Sequence, residues 1–337
     1  MEKSVFSANL HAVNDLRYEK LTLPALGNDE VLLKIESCGI CGSDLSRVYG
    51  KGTYHFPTVI GHEFSGIVEY DPKGELDGKR VAVFPLLPCF ECKSCAEENY
   101  ATCENYDYYG SRRDGGMSEY LNVKRWNLLI MPDGLSFDEG AMCEPVSVGR
   151  HAASKLDIRN GQKVFISGAG PIGLIAGQWA KLFGAEQVFY IDVDERKLEF
   201  AESLGFARYK DGMQADCAIE GTGHSDALAA CLTAVKPYGK LVLMGNPANS
   251  IEMSQKVYWH ILRKELSVFG TWNSSYSDKS NDWRESLLAM ASGKINVKPL
   301  ITHKYPLSRV NEAFEMMKNK TEFYNKVILN MNEECDR

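Results

Sequence analysis

The stretch Gly168-Ala169-Gly170-Pro171-Ile172-Gly173 decides the fold of this 337-residue chain. It follows a short apolar run at 163–167 that predicts a strand, and it opens a segment at 172–183 with helical periodicity. In that context the spacing G-x-G-x-x-G allows a tight turn, close approach of a pyrophosphate and close packing of helix on strand. The same glycines can also serve a purely structural turn, so a second feature is needed.

Asp192 supplies that second feature. It stands at the end of the predicted strand 187–191, in the run Phe189-Tyr190-Ile191-Asp192, about 20 residues beyond the glycines, where a carboxylate accepts hydrogen bonds from the adenosine ribose. Its charge would repel a 2′-phosphate, so we expect NAD rather than NADP, although Arg196 and Lys197 partly offset this; the alternative role is a helix cap. The predicted coenzyme contacts are Gly168, Gly170, Pro171, Ile172, Gly173, Asp192, Lys197 and Gly245.

The rest of the chain alternates in character around this motif. Short β-prone runs at 31–35, 67–70 and 80–84 predict an irregular, mostly β first part to about residue 149. From about residue 162, strands and helices alternate, which predicts a doubly wound parallel sheet and an α/β fold class. The tail has a helical pattern at 308–319 and a strand pattern at 326–329, and it could fold back on the first part.

Composition excludes several classes of function. The chain carries 38 Lys and Arg against 45 Asp and Glu, a formal net charge of −7, so it has no basic footprint for nucleic acid. The most apolar stretch, 164–180, is interrupted by glycines and a proline and is too short to span a membrane. The first residues lack the apolar core of a secretory signal, which favours a cytoplasmic location and reduced thiols.

Four of the ten cysteines are clustered. The spacing Cys89-x2-Cys92-x2-Cys95-x7-Cys103 is typical of a closed tetrahedral zinc site with four thiolate ligands. Iron–sulfur binding is the main alternative, and free buried cysteines are another. A fully ligated zinc ion does no substrate chemistry, so we expect it to stabilise a lobe at 88–104.

A second candidate metal site combines two separate loops. Cys41 lies in Gly39-Ile40-Cys41-Gly42-Ser43-Asp44, and His62 and Glu63 lie in the run 60–64. A thiolate, an imidazole and a carboxylate brought together would leave one position of a zinc ion open, as metal-assisted catalysis requires. Taken singly, a histidine and a cysteine are more often core residues than ligands.

Together these motifs and Glu144-Pro145 resemble the zinc-containing medium-chain alcohol and polyol dehydrogenases over nearly the whole chain. The runs 85–90 and 109–116 resemble the sorbitol dehydrogenase-like subgroup, and within it the galactitol-1-phosphate 5-dehydrogenases. The resemblance implies a GroES-like catalytic domain at 1–149 and 292–337, and a Rossmann NAD-binding domain at 150–291.

The resemblance also implies roles for single residues. Two zinc ions per chain are expected, with Cys41 and His62 holding the catalytic one and Glu63 or Glu144 as third ligand; Cys143 is a weaker alternative. Ser43 matches the position whose hydroxyl accepts the substrate proton. Many relatives carry histidine where this chain has Ser46, so the last proton transfer is expected to use water or another group.

Arg112 and Arg113 suggest the kind of substrate. The planar fork of a guanidinium matches the oxygens of a phosphate. The alternative is that this adjacent arginine pair belongs to a solvated charged turn. With the resemblance, the expected reaction is hydride transfer to NAD from a secondary alcohol of galactitol 1-phosphate. Alternatives are an unphosphorylated polyol or simple alcohol, or a non-catalytic zinc-stabilised NAD-binding protein. The implied assembly is a homodimer or homotetramer.

Overall fold

The computed structural model describes residues 3–331 and divides into two compact units, one within Met1–Glu144 and Ser275–Arg337 and the other within Pro145–Ser274. By this division 275–291 groups with the first unit and 145–149 with the second, whereas the sequence predicted the reverse for both. The aromatic rings of 275–291 explain the first difference. Tyr276 stacks on Phe84 with ring centroids 4.4 Å apart, and Trp283 meets Phe84 edge-on at 5.4 Å, so large apolar surfaces are buried there.

Eighteen strands occur within the described residues, and they are, in chain order, β1 (Ser4–Ala12), β2 (Asp15–Thr22), β3 (Glu30–Ile40), β4 (Thr58–Val59), β5 (Glu63–Tyr70), β6 (Arg80–Val83), β7 (Leu86–Leu87), β8 (Asp107–Tyr108), β9 (Tyr120–Lys124), β10 (Leu128–Ile130), β11 (Lys163–Ser167), β12 (Gln187–Ile191), β13 (Ala207–Arg208), β14 (Ala215–Glu220), β15 (Val235–Leu243), β16 (Ser267–Gly270), β17 (Ile301–Pro306) and β18 (Lys326–Asn330). The α-helices of the same residues are α1 (Gly42–Ser46), α2 (Lys93–Ala96), α3 (Phe137–Ala141), α4 (Cys143–Ser154), α5 (Pro171–Leu182), α6 (Glu195–Ser203), α7 (Ser225–Ala234), α8 (Gln255–Arg263), α9 (Asp282–Ala291) and α10 (Val310–Asn319).

The first unit is built around β3. Alternate residues of this strand, Val31, Leu33 and Ile35, are fully buried, so one face of the strand forms part of the core. The main sheet has the order β10-β6-β5-β3-β18-β17, with β9 also paired to β3. The tail strand β18 lies antiparallel to β3, with Val327 opposite Ile40. The tail thus returns to the first unit, as the sequence suggested.

The second unit is a six-stranded parallel sheet with the order β13-β12-β11-β14-β15-β16. The chain starts in the middle at β11, proceeds to one edge and then returns to build the other half, which is the doubly wound arrangement that the sequence predicted. Four of the five residues of β11 are buried, as expected for a central parallel strand covered on both faces. Across residues 3–331, none of the helices is both long and apolar enough to cross a bilayer.

Candidate metal centre and coenzyme site

Three side chains from two loops of the first unit meet at one point. The ligand atoms of Cys41, His62 and Glu63 all lie within 4.8 Å of one another. Cys41 immediately precedes α1, while Glu63 opens β5 directly after His62. His62 and Glu63 are buried, and Cys41 is partly exposed. One sulfur, one nitrogen and one oxygen donor in this arrangement are suited to a zinc ion.

Sheet pairing explains why these loops meet. Strand β3 runs antiparallel to β5, with Gly39 opposite Glu63, so the end of one strand lies beside the start of the other. The lack of a side chain at Gly39 is necessary there. A Cβ atom at this position would lie 2.1 Å from Glu63 Oε2, which is far inside van der Waals contact. Gly39 therefore provides the space that the Glu63 carboxylate occupies.

Asp44 and Arg47 support the cluster from the first turn of α1 and the residues after it. Asp44 is fully buried, accepts a hydrogen bond from the Cys41 amide at 3.0 Å, and lies 3.3 Å from His62 Nδ1. A carboxylate behind a metal-binding imidazole fixes the orientation of the ring. Arg47 donates to Asp44 Oδ1 at 3.0 Å and to Ser43 Oγ at 2.9 Å. Asp44 and Arg47 were not among the site residues predicted from the sequence, although their helical spacing from Cys41 and Ser43 was a usable signal.

A buried lysine holds the Glu63 carboxylate. Lys326 Nζ donates to Glu63 Oε2 at 2.6 Å and to Oε1 at 2.8 Å, and both residues are at most 3% exposed. Lys326 opens β18 and is 263 residues away in the chain. No local pattern in the sequence pointed to this contact, because only the pairing of β18 with β3 creates it.

Glu144 and Cys143, the other candidate ligands, are not part of the three-residue cluster. Burial raises the pKa of the Glu144 carboxyl to about 7, against the attraction of His62. The thiol of Cys143 is buried and donates to the carbonyl of Trp283 at 3.7 Å. Of the two carboxylates that the sequence left open, Glu63 is thus the one that lies with Cys41 and His62.

The four clustered cysteines also come together. Sulfur–sulfur distances are 3.9 Å for Cys89 to Cys95, 3.6 Å for Cys92 to Cys95 and 3.9 Å for Cys92 to Cys103. Zinc–sulfur bonds of about 2.3 Å in a tetrahedron require sulfur atoms about 3.8 Å apart. The four thiols therefore fit a closed zinc site, in which none of the positions is left for substrate.

The glycine turn lies where parallel strands end in the second unit. Gly170 caps α5 and Pro171 is its first residue, a position that suits the fixed backbone of proline. A Cβ atom at Gly170 would meet no atom within 4 Å, so the space above the turn is open. A Cβ atom at Gly173 would lie 2.1 Å from the Gly168 carbonyl oxygen, which is the close packing of helix on turn that the motif predicts. Ile172 is half-buried in the first turn of α5.

Asp192 follows β12 at the same edge of the sheet. Its carboxylate accepts hydrogen bonds from the Ala169 and Asp194 amides, each at 2.9 Å. Asp194, rather than Asp192, caps α6. Gly245 lies two residues after the end of β15, where a Cβ atom would be 2.0 Å from the Gly223 nitrogen. Lys197, in α6, is half-buried.

The two candidate phosphate ligands differ in their surroundings. Arg113 Nε lies 3.4 Å from Asp107 Oδ2. The guanidinium carbon of Arg112 lies 4.2 Å from the ring centroid of Tyr54 and 4.5 Å from that of Tyr106. Both arginines belong to the first unit, which also holds the Cys41, His62 and Glu63 cluster.

Comparison with known proteins agrees with this combination of sites. Residues 27–133 match the family described as the alcohol dehydrogenase GroES-like domain, and residues 171–292 match the family described as zinc-binding dehydrogenase. This chain belongs to the zinc-dependent medium-chain alcohol and polyol dehydrogenases. The two matches cover more than half of the chain, and they confirm both the α/β fold class and the family that the motifs indicated.

Several relatives of this dehydrogenase are named for a sugar alcohol or a sugar-alcohol phosphate. It is 34% identical to galactitol 1-phosphate 5-dehydrogenase of Escherichia coli strain K12, over 87% of this chain and 91% of that protein. It is 33% identical to human sorbitol dehydrogenase, over 92% of this chain and 91% of that protein. The crystal structure of galactitol-1-phosphate dehydrogenase from Escherichia coli superposes with a TM-score of 0.89 at 32% identity, covering 96% of this chain and 99% of that one.

Proposed function

We propose that this dehydrogenase uses zinc and NAD to oxidise a secondary alcohol of a sugar-alcohol phosphate, with galactitol 1-phosphate as the leading candidate, to a keto-sugar phosphate. The observation that carries the proposal is the group of ligand atoms from Cys41, His62 and Glu63, which lie within 4.8 Å of one another. Three protein donors leave the fourth tetrahedral position for a substrate oxygen, whereas the four-cysteine site would hold a second, structural ion.

The proposed reaction removes a hydride from the alcohol carbon and a proton from its hydroxyl, so that a secondary alcohol and NAD⁺ become a ketone, NADH and H⁺. A zinc ion held by the three ligands would lower the pKa of the substrate hydroxyl. The Ser43 hydroxyl accepts the proton. One of its lone pairs is occupied by Arg47, which donates at 2.9 Å, so the other lone pair is free for the substrate hydroxyl. In many relatives a histidine stands at the position of Ser46, and a serine hydroxyl is a poorer base than histidine. The proton of Ser43 is therefore passed on to water.

The preference for NAD rests on Asp192. Its two carboxylate oxygens each accept one backbone hydrogen bond, which holds the charge next to the glycine turn and leaves a lone pair on each oxygen for a ribose hydroxyl. A 2′-phosphate at that position would meet this negative charge. Lys197 and Gly245 remain proposed coenzyme contacts together with the glycines of the turn.

The phosphorylated substrate is proposed on two grounds. One is the 34% identity to an enzyme named for galactitol 1-phosphate, and the other is the presence of the candidate phosphate ligand Arg112 in the unit that holds the proposed metal ligands. An unphosphorylated polyol is the second candidate, because the chain is 33% identical to a sorbitol dehydrogenase. A non-catalytic NAD-binding protein would have little use for the three-donor cluster.

We also propose a homodimer or homotetramer in the cytoplasm. Strand β16 forms one edge of the six-stranded sheet, and all four of its residues are exposed. Val268 and Phe269 on this edge are 38% and 37% exposed. An unpaired edge with apolar side chains favours pairing with a second copy across a twofold axis. The expected other partners are small molecules only.

A substrate panel tests the proposed function. Galactitol 1-phosphate, galactitol, sorbitol and ethanol are offered with NAD and with NADP, and the reduced coenzyme is followed by absorbance. We expect the highest kcat/KM for galactitol 1-phosphate with NAD, and two zinc ions per chain by elemental analysis. Equal efficiency on the first three substrates would exclude the phosphate preference. One zinc ion per chain and no turnover would favour the non-catalytic protein.

A further inference from the structure

Two tyrosine rings, one of them the exposed Tyr54, lie close to the guanidinium of Arg112. Its central carbon lies 4.2 Å from the ring centroid of Tyr54 and 4.5 Å from that of Tyr106. The surrounding loops are tied together by the backbone. The Tyr54 amide donates to the Ser111 carbonyl at 3.3 Å, and His55 Nε2 lies 3.0 Å from the Arg112 carbonyl oxygen. The fold thus holds together the two loops that carry Tyr54 and Arg112.

The Arg112 guanidinium has unused hydrogen-bonding capacity. A guanidinium that contacts aromatic rings through its face keeps its N–H groups available to donate in its own plane. Within residues 3–331, Arg112 Nε is buried without a hydrogen-bond partner, and its guanidinium forms none of the ion pairs found there. The charge is therefore not neutralised by a carboxylate.

The neighbouring arginine is in a different state. Arg113 Nε lies 3.4 Å from Asp107 Oδ2, and its guanidinium carbon lies 5.3 Å from the ring centroid of Tyr109. Its charge is already offset by an acidic side chain. Although Arg112 and Arg113 are adjacent in sequence, their guanidiniums thus have different partners.

A row of aromatic rings joins Arg112 to the metal cluster. The Tyr106 and Tyr108 ring centroids are 6.2 Å apart, and Tyr108 in turn lies 5.8 Å from the His62 ring. Arg112 and the metal ligands are thus parts of one packed region of the first unit. A ligand that used both would need a hydroxyl for the metal and an anionic group several carbons away. A phosphorylated sugar alcohol has both groups.

We propose that Arg112 alone selects the anionic end of the substrate, through N–H donation to phosphate oxygens beside Tyr54 and Tyr106, and that Arg113 has a structural role. This inference rests on the proposed function and divides the work between the two arginines. It makes Arg112 a specificity-determining residue and leaves the oxidation chemistry to the metal cluster.

Matched variants test the division. Arg112→Gln should raise the KM for galactitol 1-phosphate by roughly 10- to 100-fold, the range expected for lost charge-assisted hydrogen bonds, with kcat nearly unchanged. The KM for sorbitol should stay within about twofold, because sorbitol carries no charge for Arg112 to bind. Arg113→Gln is the control and should leave both KM values as in the wild type. Arg112→Lys, which keeps the charge but loses the planar fork, should fall between.

A second measurement does not depend on turnover of the phosphorylated substrate. Inorganic phosphate should inhibit sorbitol oxidation competitively in the wild type and in Arg113→Gln, but not in Arg112→Gln. Circular dichroism and the melting temperature show whether each variant is folded. If Arg112→Gln keeps the wild-type KM for galactitol 1-phosphate, or if both Gln variants lose it equally, the inference is wrong. If the wild type itself does not distinguish galactitol 1-phosphate from galactitol, the phosphate part of the proposed function fails instead.

Discussion

Lys326 and Glu63 form a buried ion pair, with Nζ 2.6 Å from Oε2, at the point where the tail strand β18 joins the first unit. Glu63 is also one of the three grouped residues that we propose as metal ligands. Its carboxylate therefore has two cationic partners in the proposed holoenzyme, the lysine ammonium and the zinc ion. The pair links metal binding to the folding of a segment that is distant in sequence.

Replacing Lys326 should separate these two partners. Lys326→Met would leave the Glu63 carboxylate buried without a protein cation, so we expect the zinc-free protein to lose about 3–5 kcal/mol of unfolding free energy. Zinc binding should raise the unfolding free energy of Lys326→Met more than that of the wild type. In the variant, the zinc ion is the only cation of the pair that still neutralises Glu63. Urea denaturation with and without zinc measures both quantities. An equal gain from zinc in the two proteins would contradict the predicted link, and Lys304→Met, at an exposed lysine of β17, serves as control.

Ser43 and Arg47 should act as one unit. Ser43→Ala removes the proposed proton acceptor, and we expect kcat to fall by about 100-fold while zinc content stays unchanged. Arg47→Gln should lower kcat in the same direction, since it frees the Ser43 hydroxyl from its 2.9 Å hydrogen bond. The double variant should lose less than the product of the two single effects. Fully multiplicative losses would show that the two residues act independently.

The fluorescence of Trp126 should depend on whether the four-cysteine lobe holds zinc. This ring lies 5.1 Å from Phe90 and 5.3 Å from Tyr100, both of which are within the lobe. Cys92→Ser should remove one zinc ion per chain, lower the melting temperature and shift the Trp126 fluorescence, because the packing of these rings depends on the bound ion. Cys217→Ser, a buried free cysteine outside the lobe, should retain both ions. Unchanged zinc content in Cys92→Ser would refute the site.

Asp192 should control coenzyme choice. Asp192→Ala removes the proposed ribose contact and the negative charge, so kcat/KM with NAD should fall by about 10-fold or more and the ratio of NAD to NADP efficiency should fall with it. Asp194→Ala is the matched control, because Asp194 caps α6 and pairs with Arg196. It should lower stability while leaving the coenzyme ratio near that of the wild type. A coenzyme ratio unaffected by Asp192→Ala would exclude this role.

Strand β16 should mediate assembly. Val268→Lys and Phe269→Lys place charges on an exposed edge, and like charges facing each other across a twofold axis oppose pairing. Light scattering coupled to gel filtration should show a shift to a smaller species, with the coenzyme affinity largely kept. Tyr70→Lys, at an exposed apolar position in the first unit, is the control. An unchanged mass in both β16 variants would place the interface elsewhere.

Local patterns in the sequence were sufficient to predict the parallel sheet and the four-cysteine site. The glycine turn with its flanking strand and helix predicted the parallel sheet, because turn geometry and hydrophobic periodicity act within about 20 residues. The spacing of Cys89, Cys92, Cys95 and Cys103 likewise predicted one compact metal site. Both features depend on residues that are close in the chain.

Tertiary structure decided what depends on residues that are distant in the chain. The pairing of β3 with β5 and β18 brought Lys326 to Glu63 and favoured Glu63 over Glu144 beside Cys41 and His62. The aromatic packing of Tyr276 and Trp283 on Phe84 assigned 275–291 to the first unit. The different partners of Arg112 and Arg113 are likewise set by the folded chain and cannot be inferred from the adjacent positions of the two residues. Strand register and side-chain packing are long-range properties. The sequence alone therefore determined which kinds of site the protein has, and the fold determined which residues form each site.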